Sequence, residues 1–164
     1  MHRQPHIPAP LLRHLRQALP TMPGAVAPAC ASSLPPAPGA YLLLITLREE
    51  LPLSGRLAGH ALPAGHYLYA GSARGPGGLS ARLTRHLKQR KKIRWHVDQL
   101  TTRAASVLTL PFPDASDEAA QPRWTECRLA TLLADSGHFT HPLPGFGSSD
   151  CPACPSHLLR WREA

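Results

Sequence analysis

Apolar residues are grouped in short runs that glycine and proline separate along most of the chain. Residues 41–47 form one such run of strand length, and a run without polar interruptions is typical of a strand covered on both faces. Residues 66–72 predict a second strand that ends in glycine, and we expect it to pair antiparallel with the first. The remaining strand patterns cover residues 53–57, 105–110 and 157–161.

Apolar residues spaced by three or four positions predict helices between these strands. In residues 79–90, leucines recur at every fourth position and form one buried stripe. Arg82 and His86 lie at the border of that stripe, one turn apart on the same helix. Shorter patterns predict helices over residues 95–102 and 124–134. The order of elements predicts an α/β (α+β) fold, in which helices flank a small and mainly antiparallel sheet.

Residues 1–38 differ in composition from the rest of the chain. They hold nine of the 19 prolines, with alanine-rich spacers between them. Such a segment keeps neither a long helix nor a sheet ladder, so it predicts a flexible, disordered Pro/Ala-rich extension before a globular domain at 39–164. Within it, residues 11–19 form either a basic amphipathic helix or a frayed turn, and the turn is favoured.

The chain lacks the apolar segments that membrane insertion and secretion require. No run approaches the roughly 20 residues of a membrane helix, and the N-terminus lacks the apolar stretch of a secretory signal. We therefore expect a cytoplasmic protein with no membrane partner. In that compartment the four cysteines are more often thiols or metal ligands than disulfides.

The charge is strongly positive, with a net value of +8 and a pI near 10.0. This charge predicts attraction to a polyanion, with nucleic acid, most of all DNA, as the expected partner. Seven basic residues lie within thirteen positions. We expect all of them except the first, Arg82, to contact the backbone of the nucleic acid. The seven are Arg82, Arg85, Lys88, Arg90, Lys91, Lys92 and Arg94.

Several short motifs, in order along the chain, resemble those of a nuclease superfamily. They are Gly39-Ala40-Tyr41 and Tyr69-Ala70-Gly71 in strands, then helical Arg82 and His86, then Glu126 at the start of a later helix. This pattern resembles the GIY-YIG endonucleases, with alanine in place of the usual isoleucine in both tripeptides. Three further stretches resemble an uncharacterised branch, the domain of unknown function 123, so the resemblance covers about residues 39–161. Those stretches are residues 67–73, 94–98 and 145–151.

The resemblance implies a GIY-YIG-like fold and hydrolysis of DNA phosphodiester bonds with one Mg²⁺ or Mn²⁺ ion. It assigns Glu126 as the metal ligand, Arg82 as the phosphate clamp, His86 as a proton partner, and Tyr41 or Tyr69 as the base or its positioner. A free phenol has a pKa near 10, so a base role requires nearby cations to lower the pKa, and Arg82 and a divalent ion on Glu126 would supply this charge. Both tyrosines are alternatively core aromatics, and Glu126 alternatively stabilises a helix dipole.

The two tyrosines lie 28 positions apart, which is farther than in most GIY-YIG nucleases. A turn-rich insert fills this gap and fits the uncharacterised branch. The long gap favours, as an alternative function, a non-catalytic nucleic-acid-binding module of the same fold. Secondary site candidates in the same region are Ser72, His96 and Asp98.

A second group of residues has the spacing of metal ligands. Cys151, Cys154 and His157 follow one another at intervals of three positions, and two thiolates with an imidazole can bind Zn²⁺. The same cysteines are alternatively a redox pair or ordinary buried thiols. A zinc-stabilised structural or interaction module is therefore a third possible function. A fourth zinc ligand would be Cys127, His138 or His141.

Overall fold

The computed structural model describes residues 6–20, 34, 36–114, 123–148 and 151–163. A five-stranded sheet, in which every strand pairs antiparallel with its neighbours, forms the middle of the molecule. This architecture confirms the predicted α+β fold. In spatial order the strands are β5 (Ser106–Pro113), β1 (Gly39–Leu47), β4 (Gly65–Ala73), β7 (Leu158–Trp161) and β6 (Phe139–Thr140).

Helices cover both faces of this sheet. They are α1 (Ala9–Ala18), α2 (Gly78–Leu87), α3 (Asp98–Thr101) and α4 (Glu126–Asp135). Successive side chains of a strand point to opposite faces, so Leu42 and Leu44 of β1 pack with α1 and α4. Leu43 and Ile45 pack with α2 and α3 on the other side. β1 is thus covered on both faces, as its uninterrupted apolar run predicts. Among the described residues, no helix combines the length and the apolar character needed to cross a bilayer.

The helix α1 lies within the segment predicted to be a flexible extension. Leu11 and Leu15 of α1 and the following Leu19 are fully buried against α4 and the sheet. His14, on the same side of the helix, accepts a hydrogen bond from the indole nitrogen of Trp161 at 3.0 Å. This segment therefore forms a docked helix over Ala9–Ala18 and not a frayed turn, since its leucine stripe has an apolar surface to cover. Residues 1–5, 21–33 and 35 of the predicted extension lie outside the described residues.

The helix α2 ends at Leu87, three residues before the predicted end. The ammonium group of Lys91 folds back and donates hydrogen bonds to the carbonyl oxygens of Arg85 and His86, at 3.1 and 2.9 Å. These are carbonyl groups of the last helical turn, which need partners from outside the helix. The chain therefore leaves the helix early because a side chain farther along satisfies its C-terminus.

The predicted strand over residues 53–57 is wrong. The chain forms a short ribbon there, in which β2 (Leu51–Pro52) pairs with β3 (Ala61–Leu62). Between them lies a 3₁₀ turn at Gly55–Leu57. Two glycines with positive φ in this segment, Gly55 and Gly59, favour reversal of the chain over an extended strand.

The strand β5 continues three residues beyond its predicted end. Pro111 and Pro113 follow the predicted end at residue 110, yet both lie within the strand. Proline lacks the N–H group of a sheet ladder and is therefore tolerated mainly on edge strands. β5 forms one edge of the sheet, so its prolines leave the pairing with β1 intact.

Substitution of Leu15 tests whether α1 belongs to the folded core. We expect Leu15→Ala to lower the free energy of unfolding by about 3 kcal/mol, because it leaves a cavity between α1 and the sheet. Leu12→Ala is the matched control: Leu12 is only half buried, so the loss is about 1 kcal/mol or less. Urea unfolding followed by circular dichroism measures both. Equal and small losses would show that α1 does not pack on the core.

Candidate active site and metal centre

The register between β1 and β4 brings the two predicted tyrosines to one face of the sheet. Tyr41 lies opposite Gly71, and Tyr69 lies opposite Leu43. The Tyr41 ring crosses the space where a Cβ atom of residue 71 would lie, and only glycine leaves that space open. A Cβ on Gly147, which has a φ of +70°, would lie 2.8 Å from Tyr69 Cε2. Each tyrosine thus packs against a glycine backbone.

All five residues predicted for catalysis and magnesium binding line a single cleft. Its volume is about 160 Å³, which suits a phosphate group with a few waters better than the 300–1,000 Å³ of typical organic-ligand sites. Ser72, a secondary candidate, lines it too. The full lining is Tyr41, Tyr69, Gly71, Ser72, Arg82, His86, Trp95, Glu126, Gly147 and His157.

The Tyr41 hydroxyl and the His86 imidazole form a buried hydrogen-bonded pair. Tyr41 Oη lies 2.7 Å from His86 Nε2. Burial raises the pKa of Tyr41 far above its usual value, and this effect outweighs the lowering by Arg82. Burial, with help from the positive charge of Lys91, lowers the pKa of His86 to about 3. At neutral pH the phenol is therefore protonated and the imidazole is neutral.

Tyr69 is also protonated at neutral pH. Burial raises its pKa to about 12, although the nearby charge of Arg82 acts in the opposite direction. The negative charges of Glu126 and Asp98 raise it further. The expectation that Arg82 lowers a tyrosine pKa enough for a base role is therefore not met by the protein residues alone. Both phenols are hydrogen-bond donors in the cleft.

Arg82 reaches the cleft from α2 and stacks on an indole ring. Its guanidinium carbon lies 4.6 Å from the centroid of the Trp95 ring, and that of Arg85 lies 4.1 Å from the same centroid. Such cation–π contacts hold a guanidinium in place without neutralising its charge. No carboxylate among the described residues forms an ion pair with Arg82, so its charge is available to an anion in the cleft.

The secondary candidate Asp98 organises the segment that carries Trp95. Its carboxylate is fully buried and accepts hydrogen bonds from the backbone N–H groups of Arg94 and Trp95, at 2.8 and 3.0 Å. It also forms a bidentate ion pair with Arg85, whose two terminal nitrogens donate hydrogen bonds to Oδ1 and Oδ2 at 2.9 and 2.8 Å. Burial acts to raise the pKa of Asp98, but these hydrogen bonds outweigh it and hold the pKa at about 2. Asp98 is therefore an ionised anchor outside the lining of the cleft.

Two members of the predicted basic run have partners inside the protein. Arg85 binds Asp98, and the nearly buried ammonium of Lys91 lies 3.8 Å from the same carboxylate while it caps α2. Their assignment to DNA contact is at odds with these internal contacts. His96, another secondary candidate, packs its ring 5.6 Å from that of Phe146. The exposed basic residues of the run are Lys88, Arg90, Lys92 and Arg94.

Glu126 enters the cleft from the start of α4. The Thr125 hydroxyl caps this helix by accepting a hydrogen bond from the Arg128 backbone N–H at 3.1 Å, which fixes Glu126 as the first helical residue. No hydrogen bond or ion pair from a described residue engages its carboxylate. Among the described residues, Glu126 is the one carboxylate in the lining of the cleft, and Mg²⁺ binds through one or two carboxylates with several waters. A one-ion site of this kind fits the residues present.

Behind the cleft, the predicted cysteine and histidine ligands form a cluster. The side-chain donor atoms of Cys127, Cys151, Cys154 and His157 all lie within 4.8 Å of one another. Cys127 Sγ is 2.8 Å from Cys151 Sγ and 3.5 Å from His157 Nε2. Of the three fourth ligands considered, Cys127 is therefore the one that joins the group. His157 also lines the cleft, so the two sites are neighbours.

One known protein family matches most of the chain. The sequence model of the family described as domain of unknown function DUF123 matches residues 40–164. The chain belongs to the DUF123 family. No curated protein and no solved structure gives a significant match. The match begins in β1, so the docked helix α1 precedes the part of this DUF123 protein that the family description covers.

Two lining residues of the DUF123 cleft were not predicted from the sequence to lie there. They are Trp95 and Gly147, neither of which the sequence analysis singles out. The sequence pattern that could have pointed to them is the family resemblance of residues 94–98 and 145–151. This resemblance does not show what those residues contact. His157 was predicted as a metal ligand, and its place in the cleft depends on the fold of the chain between β6 and β7.

The lowered pKa of His86 predicts a specific acid sensitivity of the DUF123 protein. His86 ionises near pH 6.5 in the unfolded chain and near pH 3 in the folded one. Its contribution to stability is therefore complete above pH 6.5 and is lost as the pH falls below that value. Between pH 7.5 and pH 5, we expect the wild type to lose about 2 kcal/mol more stability than His86→Gln.

Denaturant unfolding at both pH values measures this difference. His60→Gln is the matched control because His60 is exposed, and its pH dependence should follow the wild type. Parallel pH profiles for the wild type and His86→Gln would contradict a buried neutral imidazole.

Proposed function

We propose that this DUF123 protein is a divalent-metal-dependent nuclease of the GIY-YIG type that hydrolyses DNA phosphodiester bonds. The supporting observation is that Tyr41, Tyr69, Arg82, His86 and Glu126 line one cleft of phosphate size. In-line hydrolysis needs an oriented water, a proton acceptor, charge stabilisation at phosphorus and assistance to the leaving oxygen. The cleft offers side chains suited to each of these tasks.

Arg82 is the phosphate clamp in this proposal. A guanidinium forms two parallel hydrogen bonds to phosphate oxygens, which a lysine ammonium cannot do. Arg82 has no carboxylate partner among the described residues, and Trp95 supports its charged plane at 4.6 Å. It therefore binds the scissile phosphate without first having to break an ion pair.

The Tyr41–His86 pair is the proton acceptor. Ionising even an ordinary phenol at pH 7 costs about 4 kcal/mol, and burial makes a free tyrosinate of Tyr41 more costly still. A coupled transfer avoids that species: Tyr41 Oη takes the proton of the attacking water while its own proton moves to His86 Nε2, 2.7 Å away. The negative charge of a bound phosphate favours the protonated imidazole that results. Tyr69 remains protonated and donates a hydrogen bond to a phosphate oxygen.

Glu126 is the proposed ligand of one Mg²⁺ or Mn²⁺ ion. Such an ion, when bound, supplies positive charge that stabilises the developing negative charge on the phosphate oxygens. Glu126 suits this role because its carboxylate has no competing partner among the described residues. The described lining residues include no second carboxylate, which argues for one ion rather than two.

The exposed basic residues beside the cleft bind the DNA backbone in this proposal. Lys88, Arg90, Lys92 and Arg94 lie between the end of α2 and the start of α3, close to Trp95. Asp98 fixes this segment through the backbone of Arg94 and Trp95. Contacts to phosphates position a nucleic acid without selecting a sequence, so we propose binding that does not depend on sequence.

A non-catalytic nucleic-acid-binding module is the second candidate. The burial of Tyr41 and His86 favours it, because burial raises the pKa of Tyr41 and lowers the pKa of His86 to about 3, which makes the pair a weak base. Such a module would keep the clamp and the basic segment but would not turn over DNA.

Cleavage assays distinguish the two functions. We expect Arg82→Ala, Glu126→Gln and Tyr41→Phe each to reduce the cleavage rate by about 100-fold or more, since each removes a group that acts in the transition state. Arg48→Ala and Glu49→Gln are matched controls at exposed positions away from the cleft, and they should cleave as the wild type does. The substrates are single-stranded, nicked, branched and duplex DNA with Mg²⁺ or Mn²⁺. Binding of the wild type without cleavage of any substrate would favour the second candidate.

Salt dependence tests the proposed role of the basic segment. Replacement of Lys88, Arg90, Lys92 and Arg94 by alanine should weaken duplex DNA binding and reduce the slope of log K against log salt by up to about 3.6, or 0.9 for each lost phosphate contact. The control removes the same charge from four other exposed arginines and should retain most of the slope. If both variants lose the same slope, overall charge rather than this segment drives binding. The control positions are Arg13, Arg16, Arg48 and Arg56.

A further inference from the structure

The four donor atoms of the cysteine and histidine cluster lie within 4.8 Å of one another, near enough for one metal ion to bind all of them. With zinc bonds of about 2.3 Å to sulfur and 2.0–2.1 Å to nitrogen, the edges of a tetrahedral site are about 3.6 Å between sulfur and nitrogen and about 3.8 Å between two sulfurs. Cys127 Sγ and His157 Nε2 are 3.5 Å apart, close to the first value. Cys127 Sγ and Cys151 Sγ, at 2.8 Å, need to separate by about 1 Å.

The donor set also selects the metal. Three sulfurs and one imidazole nitrogen suit Zn²⁺, whereas Mg²⁺ and Ca²⁺ prefer oxygen ligands. Nε2 of His157 faces the Cys127 thiol at 3.5 Å, so this ring nitrogen is placed to bind a metal together with the cysteines.

We propose that Cys127, Cys151, Cys154 and His157 bind one structural Zn²⁺ ion. Four protein ligands complete a tetrahedron and leave no open position, as in structural rather than catalytic zinc sites. A disulfide would use only two of the three thiols and would leave the third and the imidazole beside it without a function. This inference does not depend on the proposed nuclease activity.

The ion connects a helix to a loop that has no helix or strand in its described residues. Cys127 lies in the first turn of α4, whereas the other three ligands belong to the described residues between β6 and β7, at 141–148 and 151–157, which form turns rather than helix or strand. A few backbone hydrogen bonds hold these turns, such as those from His157 N to Phe146 O at 2.9 Å and from Cys151 N to Ser148 O at 2.9 Å. A metal bound across them restricts the unfolded chain and fixes the turns against α4.

The same ion determines one wall of the cleft. Glu126 precedes Cys127 in the chain. Gly147 packs against the Tyr69 ring and follows Phe146, whose carbonyl oxygen accepts a hydrogen bond from the backbone N–H of His157 at 2.9 Å. Loss of the ion should therefore free Gly147 and Glu126 together and expose Tyr69. The zinc site thus supports the cleft from behind without taking part in its chemistry.

Metal analysis of the intact chain tests the proposal directly. Protein expressed with zinc and purified without chelators should carry one Zn²⁺ per chain by native mass spectrometry. After exchange with Co²⁺, it should show the thiolate-to-cobalt charge-transfer absorption of a tetrahedral sulfur-rich site. We expect Cys151→Ser to weaken binding by more than the 10- to 100-fold that loss of an outer partner costs. Cys30→Ser, the matched control, removes the remaining cysteine of the chain and should keep both signals.

A reversible measurement on the wild type covers the case in which a variant does not fold. Chelation should increase hydrogen exchange at the amides of Gly145, Ser148, Cys151 and His157, and added Zn²⁺ should restore their protection. A chain that binds neither Zn²⁺ nor Co²⁺, a mass two units lower from a disulfide, or full zinc content in a Cys151→Ser/Cys154→Ser variant would overturn the proposal. None of these measurements uses DNA, so a failure here is distinguishable from a failure of the nuclease proposal.

Discussion

The register between β1 and β4 is the constraint on which the rest of the site depends. It sets Tyr41 against Gly71, and the absent side chain of residue 71 is the space that the Tyr41 ring fills. From that position the hydroxyl reaches His86 on α2, which connects the sheet to the helix that carries Arg82. A shift of one residue would turn Tyr41 to the opposite face, toward α1 and α4. The need of the Tyr41 ring for a residue without a side chain disfavours such a shift, because the neighbours of Gly71 in β4, Ala70 and Ser72, each carry a Cβ atom.

The buried carboxylate of Asp98 determines which cations of the basic run are available to an external anion. Asp98 is a fully buried carboxylate, and removal of a charge from water is tolerated only with close partners. Arg85, Lys91 and two backbone N–H groups meet this need. These contacts fix Trp95, and through it the guanidinium of Arg82, at the edge of the cleft. Part of a sequence run that suggests nucleic-acid binding therefore serves to build the site, and only its exposed members face solvent.

Local patterns predicted the strands and helices well, and the contacts between distant segments poorly. The apolar run of β1 and the leucine repeat of α2 depend on neighbouring residues, so periodicity identified both. The end of α2 depends on Lys91, whose folding back leaves no sequence pattern. The docking of α1 was missed because proline-rich composition around it outweighed its four-residue leucine spacing. In the site, the tyrosines, Arg82, His86 and Glu126 followed from motif order, whereas their pKa values depend on burial that only the folded chain shows.

The position of α1 relative to the family match has a practical consequence. A fragment trimmed to residues 40–164, as the DUF123 match would suggest, lacks the leucines that cover α4 and one face of the sheet. The uncovered surface would be a contiguous apolar patch, and such patches promote self-association. Poor solubility of such a fragment would reflect the missing cover and not a defect of the domain, so expression boundaries should begin before residue 9.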